Sequence, residues 1–248
     1  MRGKIFGNLP QDARNYDESD WLVYGDDPQP NTRAKLIALT IEEMATRGPG
    51  GFSVNSVCDR IDAKHALVNY YFGNKEMLIA EASAVSYKKS VNDVHNRILM
   101  APKDPEKRLR AHIDGELAWY RQMKSWALLV NYPIASDLSR KLIEENFGAE
   151  LRKYFEFYLS LVGTMILDIR RGTTSEFDFD VTNYPREFLL KHPAIVLDGI
   201  SMIWSAHGLH IWSAGQQVGS ATLSAEQFTQ KMAIDHHIKR MISLARGK

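Results

Sequence analysis

The chain has 248 residues and a single cysteine, Cys58. One thiol excludes an internal disulfide and fits a reducing compartment. No run is long and apolar enough to span a bilayer, and the start has no signal-peptide core, so no membrane contact and a cytoplasmic location are expected. Charge of one sign is also missing: 31 Lys and Arg stand against 30 Asp and Glu, for a formal net charge of +1. A general polyanion binder is usually more basic. Contact with nucleic acid must then come from a few locally presented cations and depend on salt. There is no phosphate-cradling glycine loop, no nucleophile elbow and no convincing acid pair, so no catalytic residue, enzyme activity or cofactor is expected. His207 and His210 lie three apart, and Asp235, His236 and His237 are consecutive, but no third ligand stands close by and no metal site is expected. Glu42-Glu43 and Glu144-Glu145 read as solvated helix faces. What remains is ordinary globular composition, 44% hydrophobic and 25% charged, in a chain long enough to bury a sizeable core.

The most informative stretch runs from Thr32 to Ala82. Asn31 or Thr32 can cap a first helix, and Pro30 keeps the chain extended ahead of it. Leu36, Ile37, Thr40, Ile41 and Met44 recur at the helical period, so one face is buried. Gly48, Pro49, Gly50 and Gly51 are expected to stop this helix. Ser53 caps a second, from Val54 to about Ile61, with Val57 and Ile61 inward; Cys58 beside them reads as packing. Asp62 and Ala63 make a turn. A third helix follows from about Lys64 to Tyr71, anchored by Leu67, Val68, Tyr71 and Phe72 and exposing His65, Ala66, Asn69 and Tyr70. Gly73 and Asn74 break it, and Asn74 can cap the helix that opens Lys75-Glu76-Met77-Leu78. A short apolar helix pair that ends in adjacent aromatics and a lysine is the pattern of a helix-turn-helix.

This stretch resembles the amino-terminal domain of TetR-family transcriptional regulators. The segment Tyr70-Tyr71-Phe72-Gly73-Asn74-Lys75-Glu76-Met77-Leu78 carries most of the likeness, with Tyr71, Phe72 and Lys75 on the family pattern. Asn69 stands where the family commonly has tyrosine, Asp62 where its turn usually has glycine, and Lys64 where its recognition helix usually has a serine or threonine cap. The resemblance implies an all-α fold: a three-helix DNA-binding domain with a helix-turn-helix, followed by a helical ligand-binding and dimerisation domain.

Chemistry assigns roles within the reading head. Phosphate contacts supply most DNA affinity, and base edges in the major groove supply specificity. Ser53, Lys64, Tyr70 and Lys75 suit phosphates, and Lys75 sits at a helix start whose free amides attract anions. His65 and Asn69 lie one turn apart on the exposed side; Asn can pair with adenine and Ala66 can meet a thymine methyl. Tyr71 completes the candidate DNA-binding set.

The flanking chain differs. Residues 1–30 are acidic and punctuated by proline, and read as a partly disordered tail with one apolar cluster at Trp21-Leu22-Val23-Tyr24. The expected division is therefore 1–30 tail, 31–80 reading head and 81–248 helical remainder. Beyond Ala82 no strand alternation, internal repeat or low-complexity tract appears. One helix is expected from Lys75 to about Met100 and another from Pro105 to Met123 with Asp104 as cap. A short one follows from Ser125 through Val130. A stretch from Ser136 to about Gly172 is rich in aromatics, and Gly148 is a point where it could divide. A long connection, 173–192, contains a short helix from Arg186 to Lys191; connections of that length are often functional. Two more helices, from Pro193 to about Ala214 and from Ser224 to about Ala245, complete the chain. Ile195, Leu197, Ile200, Met202, Ile203, Leu209 and Ile211 make the first of these apolar over much of its circumference, so the extra face needs a partner. A homodimer through 193–214 and 224–245 is expected, which also suits two symmetric half-sites on double-stranded operator DNA.

Trp119, Tyr120, Met123, Trp126, Phe155, Tyr158, Trp204 and His207 are candidate lining for a site that takes a small apolar or aromatic effector. The same aromatic stripes at helical spacing also suit core. The expected function is a dimeric, sequence-specific transcriptional regulator, a repressor released by its ligand. The alternative is an all-helical enzyme or small-molecule binding protein with no operator affinity.

Overall fold

The computed structural model describes residues 32–123, 137–215 and 230–247, and among them every regular element is an α-helix. In chain order these are α1 Thr32–Gly51, α2 Val54–Asp59, α3 Ala66–Phe72, α4 Lys75–Met100, α5 Pro105–Met123, α6 Asp137–Arg171, α7 Arg186–Lys191, α8 Pro193–Gly215 and α9 Gln230–Ala245. The fold is all-α. None of these helices is long and apolar enough to cross a membrane. The described residues fall into two compact units. One holds those up to Ser90 with those of Trp119–Leu151, the other Val91–Ala118 with those from Arg152 onward.

The first unit is built on the helical period read above: Leu36, Ile37, Thr40, Ile41 and Met44 are all buried. All but Thr40 join Val54, Val57, Cys58, Val68, Phe72, Leu78, Ile79 and Trp119 in one apolar cluster. Caps set the helix starts. Ser53 Oγ accepts the Ser56 amide at 3.4 Å and Asn74 Oδ1 accepts the Met77 amide at 2.8 Å. Asp104 Oδ1 does the same for Lys107 at 2.9 Å, and α5 starts at Pro105. Each satisfies an amide that the helix itself leaves unpaired.

Several local expectations need correction. Helix α1 does not stop at Gly48 but continues through Pro49 and Gly50 to Gly51. Pro49 has no amide to donate, so this turn of the ladder has one hydrogen bond fewer. Helix α2 ends at Asp59, because the Ile61 and Ala63 amides both turn back to the Cys58 carbonyl, at 3.1 and 3.0 Å. Helix α3 starts at Ala66 rather than Lys64, since Leu67 and Val68 bond three residues back, to Lys64 and His65, in a tighter turn. Glu42 and Glu43 are not a solvated face. Both are buried: Arg60 Nη2 reaches the two Glu42 oxygens at 3.0 and 2.9 Å, and Arg47 Nη1 lies 2.8 Å from Glu43. Gly148 does not divide α6, which runs unbroken for 35 residues; one glycine costs about 1 kcal/mol in a helix, too little to end one this long.

In the second unit, α6 crosses α8 where both carry glycine. A Cβ on Gly163 would stand 2.6 Å from the Phe188 ring and 3.5 Å from Ile195, and one on Gly199 would stand 3.5 Å from Val162. Helix α8 also packs on α7 and α9. Arg170 closes the end of α6: its Nε donates to the Ala245 carbonyl at 3.0 Å and its Nη2 to Asp198 at 2.6 Å. Gly172 follows with φ 67°, the left-handed residue that commonly ends a helix. The cluster at 21–24, the helix expected at Ser125 to Val130 and the start expected at Ser224 lie outside the described residues.

Candidate functional site

Helix α3 presents two faces. Val68 and Phe72 are buried, while His65, Ala66, Asn69 and Tyr70 are exposed, Tyr70 at 79%. Lys64 stands exposed just ahead of them. His65 and Asn69 are four residues apart, roughly 6 Å along a helix axis, so they present side by side. Tyr71 is half-buried and meets the Tyr70 ring edge-on, with centroids 5.0 Å apart. A short helix that exposes an amide, an imidazole and a phenol over an apolar floor can enter a groove about 12 Å wide.

The local sequence holds this helix in place. The turn before it contains Asp62 at φ 53°, the left-handed conformation that aspartate tolerates and glycine favours. The turn after it has Gly73 at φ 79°, whose amide bonds back to the Asn69 carbonyl at 2.9 Å. No side chain caps the start of α3, since His65 stands at the cap position without such a bond. Two candidate contacts do more than face outward. Ser53 is half-buried and caps α2. Lys75 is exposed, yet its Nζ donates to the Phe52 carbonyl at 3.3 Å and lies 5.0 Å from the Phe52 ring centre. Sequence reasoning missed Arg33. Its guanidinium sits 5.0 Å from the Phe72 ring centre and pairs with buried Glu81 at 2.5 Å, which ties α1 to the buried side of α3 and to α4. An arginine at the start of the first helix was visible in the sequence, but its partner lies 48 residues away.

The residues expected to line a ligand site are divided between the two units. Trp119 is buried in the apolar cluster of the first unit. Phe155 and Tyr158 belong to the second, where Phe155 is 38% exposed and Tyr158 is buried. Trp126 and the side chains of Tyr120, Met123, Trp204 and His207 lie outside the described residues. Around Tyr158 stands a polar group that sequence reasoning overlooked. The Tyr158 hydroxyl donates to Glu116 Oε1 at 2.5 Å and lies 3.0 Å from His112 Nδ1. Glu116 is fully buried; desolvation pushes its carboxyl up to about 8, against the opposing hydrogen bond from Tyr158. Among the described residues its Oε2 has no hydrogen-bond partner. The available signal was spacing: His112 and Glu116 fall on the same face as buried Leu109 and Ile113. Nearby in sequence, buried Arg108 lies 4.8 Å from the Phe177 ring centre, and burial lowers its pKa. His95, edge-on to Phe157 at 5.0 Å, is lowered by burial against the raising influence of Asp180.

The face of α8 away from the core is partly apolar. Ile195, Met202 and Ile203 are buried, whereas Ala194, Leu197 and Ser201 form an exposed row, with Leu197 63% exposed.

Comparison with known proteins agrees with this geometry. Residues 36–82 match the family described as bacterial regulatory proteins, tetR family. A curated relative, the HTH-type transcriptional regulator BetI of Burkholderia lata, is 26% identical over 118 residues, 46% of this chain. The match spans 61% of that relative's own length. Two solved structures share the fold. A protein assigned as a transcriptional regulator in Pseudomonas aeruginosa PAO1 superposes with TM-score 0.54 at 18% identity, covering 87% of this chain and 90% of its own. One assigned to the tetR family in Shewanella sp. PV-4 gives TM-score 0.52 at 10% identity, covering 87% and 96%.

Proposed function

Residues 36–82 of this chain are a TetR-family domain, and from that premise we propose that the protein is a cytoplasmic, sequence-specific transcriptional regulator. It binds operator DNA as a homodimer and represses until a small effector releases it. Residues 31–80 are the reading head, and residues 81–248 receive the ligand and pair the subunits. The observation that carries this reading is the exposed row Lys64, His65, Ala66, Asn69 and Tyr70, held on a floor of buried Val68 and Phe72. The exposed row at Ala194, Leu197 and Ser201 favours pairing through α8, because a charged solvent face has no need of leucine there.

Binding of the full-length protein to genomic DNA fragments, measured at several salt concentrations, tests the proposal. Lys75→Ala should weaken all fragments about equally and reduce the salt slope by roughly one unit. Asn69→Ala should relax preference at one base position, at a cost of about 1–3 kcal/mol. Two chains should bind each specific site. Unchanged affinity in both variants, or one chain per site, overturns the assignment of the reading head or of the dimer respectively.

A further inference from the structure

A buried carboxyl with one oxygen left unserved is costly, because the group has given up water without a replacement. Glu116 is such a group. It lies on the α5 face that also holds Leu109, His112 and Ile113, all buried. Tyr158 on α6 serves Oε1, and on the same α6 face Leu161, Val162 and Met165 are fully buried and apolar. Oε2 is buried and accepts nothing from the described residues. The His112 ring meets Tyr158 edge-on at 5.3 Å, so the phenol is held from two sides on its way to Glu116. Folds do not keep an unserved carboxyl among leucines and valines for stability, since a glutamine or an apolar residue would do better there. They keep it where something else supplies the donor.

We propose that Glu116 anchors the effector, and that the effector is an apolar molecule bearing an amine whose N–H groups bond to Glu116 Oε2. This rests on the regulator reading for the word effector, but the binding chemistry stands on Glu116 itself. The amine is favoured over other donors for a reason of proton balance. In the free protein the carboxyl, raised to about 8 by burial, holds its proton at pH 7. Among the described residues, Tyr158 from α6 bonds to it, and His112 from its own helix bonds to Tyr158. When an alkylammonium ion enters, the Glu116 proton leaves to solvent and the resulting carboxylate pairs with the ammonium. A carboxylate ligand would instead accept a hydrogen bond from the protonated Glu116 and release no proton. An alcohol satisfies one hydrogen bond and displaces no proton.

The test is calorimetric titration of the full-length protein, without DNA, in two buffers of different protonation heat at pH 7. The probes are straight-chain n-alkylamines from butyl to octyl, with the matched alcohols and carboxylates. At least one amine should bind about tenfold or more tighter than its alcohol, and neither the alcohol nor the carboxylate should release a proton. Amine binding should release close to one proton per site, and the release should vanish above about pH 9, where the carboxyl is already ionised. Glu116→Gln should abolish the release and lower amine affinity about tenfold, more than it lowers alcohol affinity. Should Glu116→Gln misfold by circular dichroism, the release in the unaltered protein and its loss at high pH still decide. No binding by any amine, equal binding of amine and alcohol, or binding without proton release overturns the anchor and leaves Oε2 to an internal water. Operator affinity is measured separately. Amine binding with no effect on it keeps the anchor and removes the regulatory reading.

Discussion

Both units bury carboxylates, but they treat them differently. In the first, Glu42 receives the Arg60 guanidinium on both oxygens, and Glu81 receives Arg33. In the second, Glu116 receives only a phenol among the described residues, on one oxygen. Burial raises the Glu42 carboxyl even against Arg60, yet it carries Glu116 up to about 8. A guanidinium offsets the loss of water for the charged form, whereas a phenol does so weakly, and the group keeps its proton instead. The first unit therefore spends its buried charges on fixing helices that must present a surface. The second holds a buried charge in reserve.

The comparison breaks first if the ion pairs of the first unit prove idle. Arg60→Ala should lower the unfolding free energy by about 2 kcal/mol in urea denaturation, because Glu42 stays buried without its guanidinium; the pair is partly exposed, which keeps the loss below that of a fully buried one. A change under about 0.5 kcal/mol would place Arg60 among ordinary surface residues. Glu116 should show the opposite behaviour. Its folded carboxyl titrates above its unfolded value of 4.5, at about 8, so the folded state binds more protons between those limits. Stability is then fullest below about pH 4.5 and falls as pH rises toward 8, by up to about 1.4 kcal/mol per pH unit from this group. Glu116→Gln should remove that slope, and chemical denaturation at several pH values reads it. The smallest effect concerns the turn before α3. Asp62→Gly should raise stability by roughly 1 kcal/mol, since glycine adopts φ 53° without the cost aspartate bears. A loss would mean that the Asp62 side chain supports the turn.

Much of the first unit was legible because its signals are local. Asn74 and Asp104 cap α4 and α5 within three residues of the amides they serve. The buried row Leu36 to Met44 follows from period alone. The division of α3 into a buried and an exposed face was equally plain, because adjacent aromatics and a glycine fix its end. What could not be read were facts that join distant residues. The burial of Glu42 depends on an arginine 18 positions later, and the character of Glu116 on a tyrosine 42 positions later. Glycine and proline at 48–51 misled for the converse reason: a strong local stop signal gave way in the final turn of a helix already anchored by its apolar face. Asp62 is intermediate. Its departure from glycine was visible, but only the backbone shows that it takes the conformation glycine would.

The connection after α6 has an irregular backbone and yet is tied at close intervals. The Ser175 amide donates to the Lys103 carbonyl at 2.8 Å and its hydroxyl to Asp168 at 2.6 Å, with Ser175 fully buried. Phe179 meets Phe157 edge-on, and the Tyr184 hydroxyl donates to Glu156 at 2.6 Å. Irregular chain ordinarily exchanges its amide hydrogens with solvent almost freely. Here the Ser175 amide should exchange on the timescale of helix interiors, while its neighbours at Thr174 and Glu176, both exposed, exchange fast. Mass-spectrometric deuterium uptake would record that as one slow site inside a fast peptide. A segment of this kind behaves as a latch, closed at single points rather than along its length.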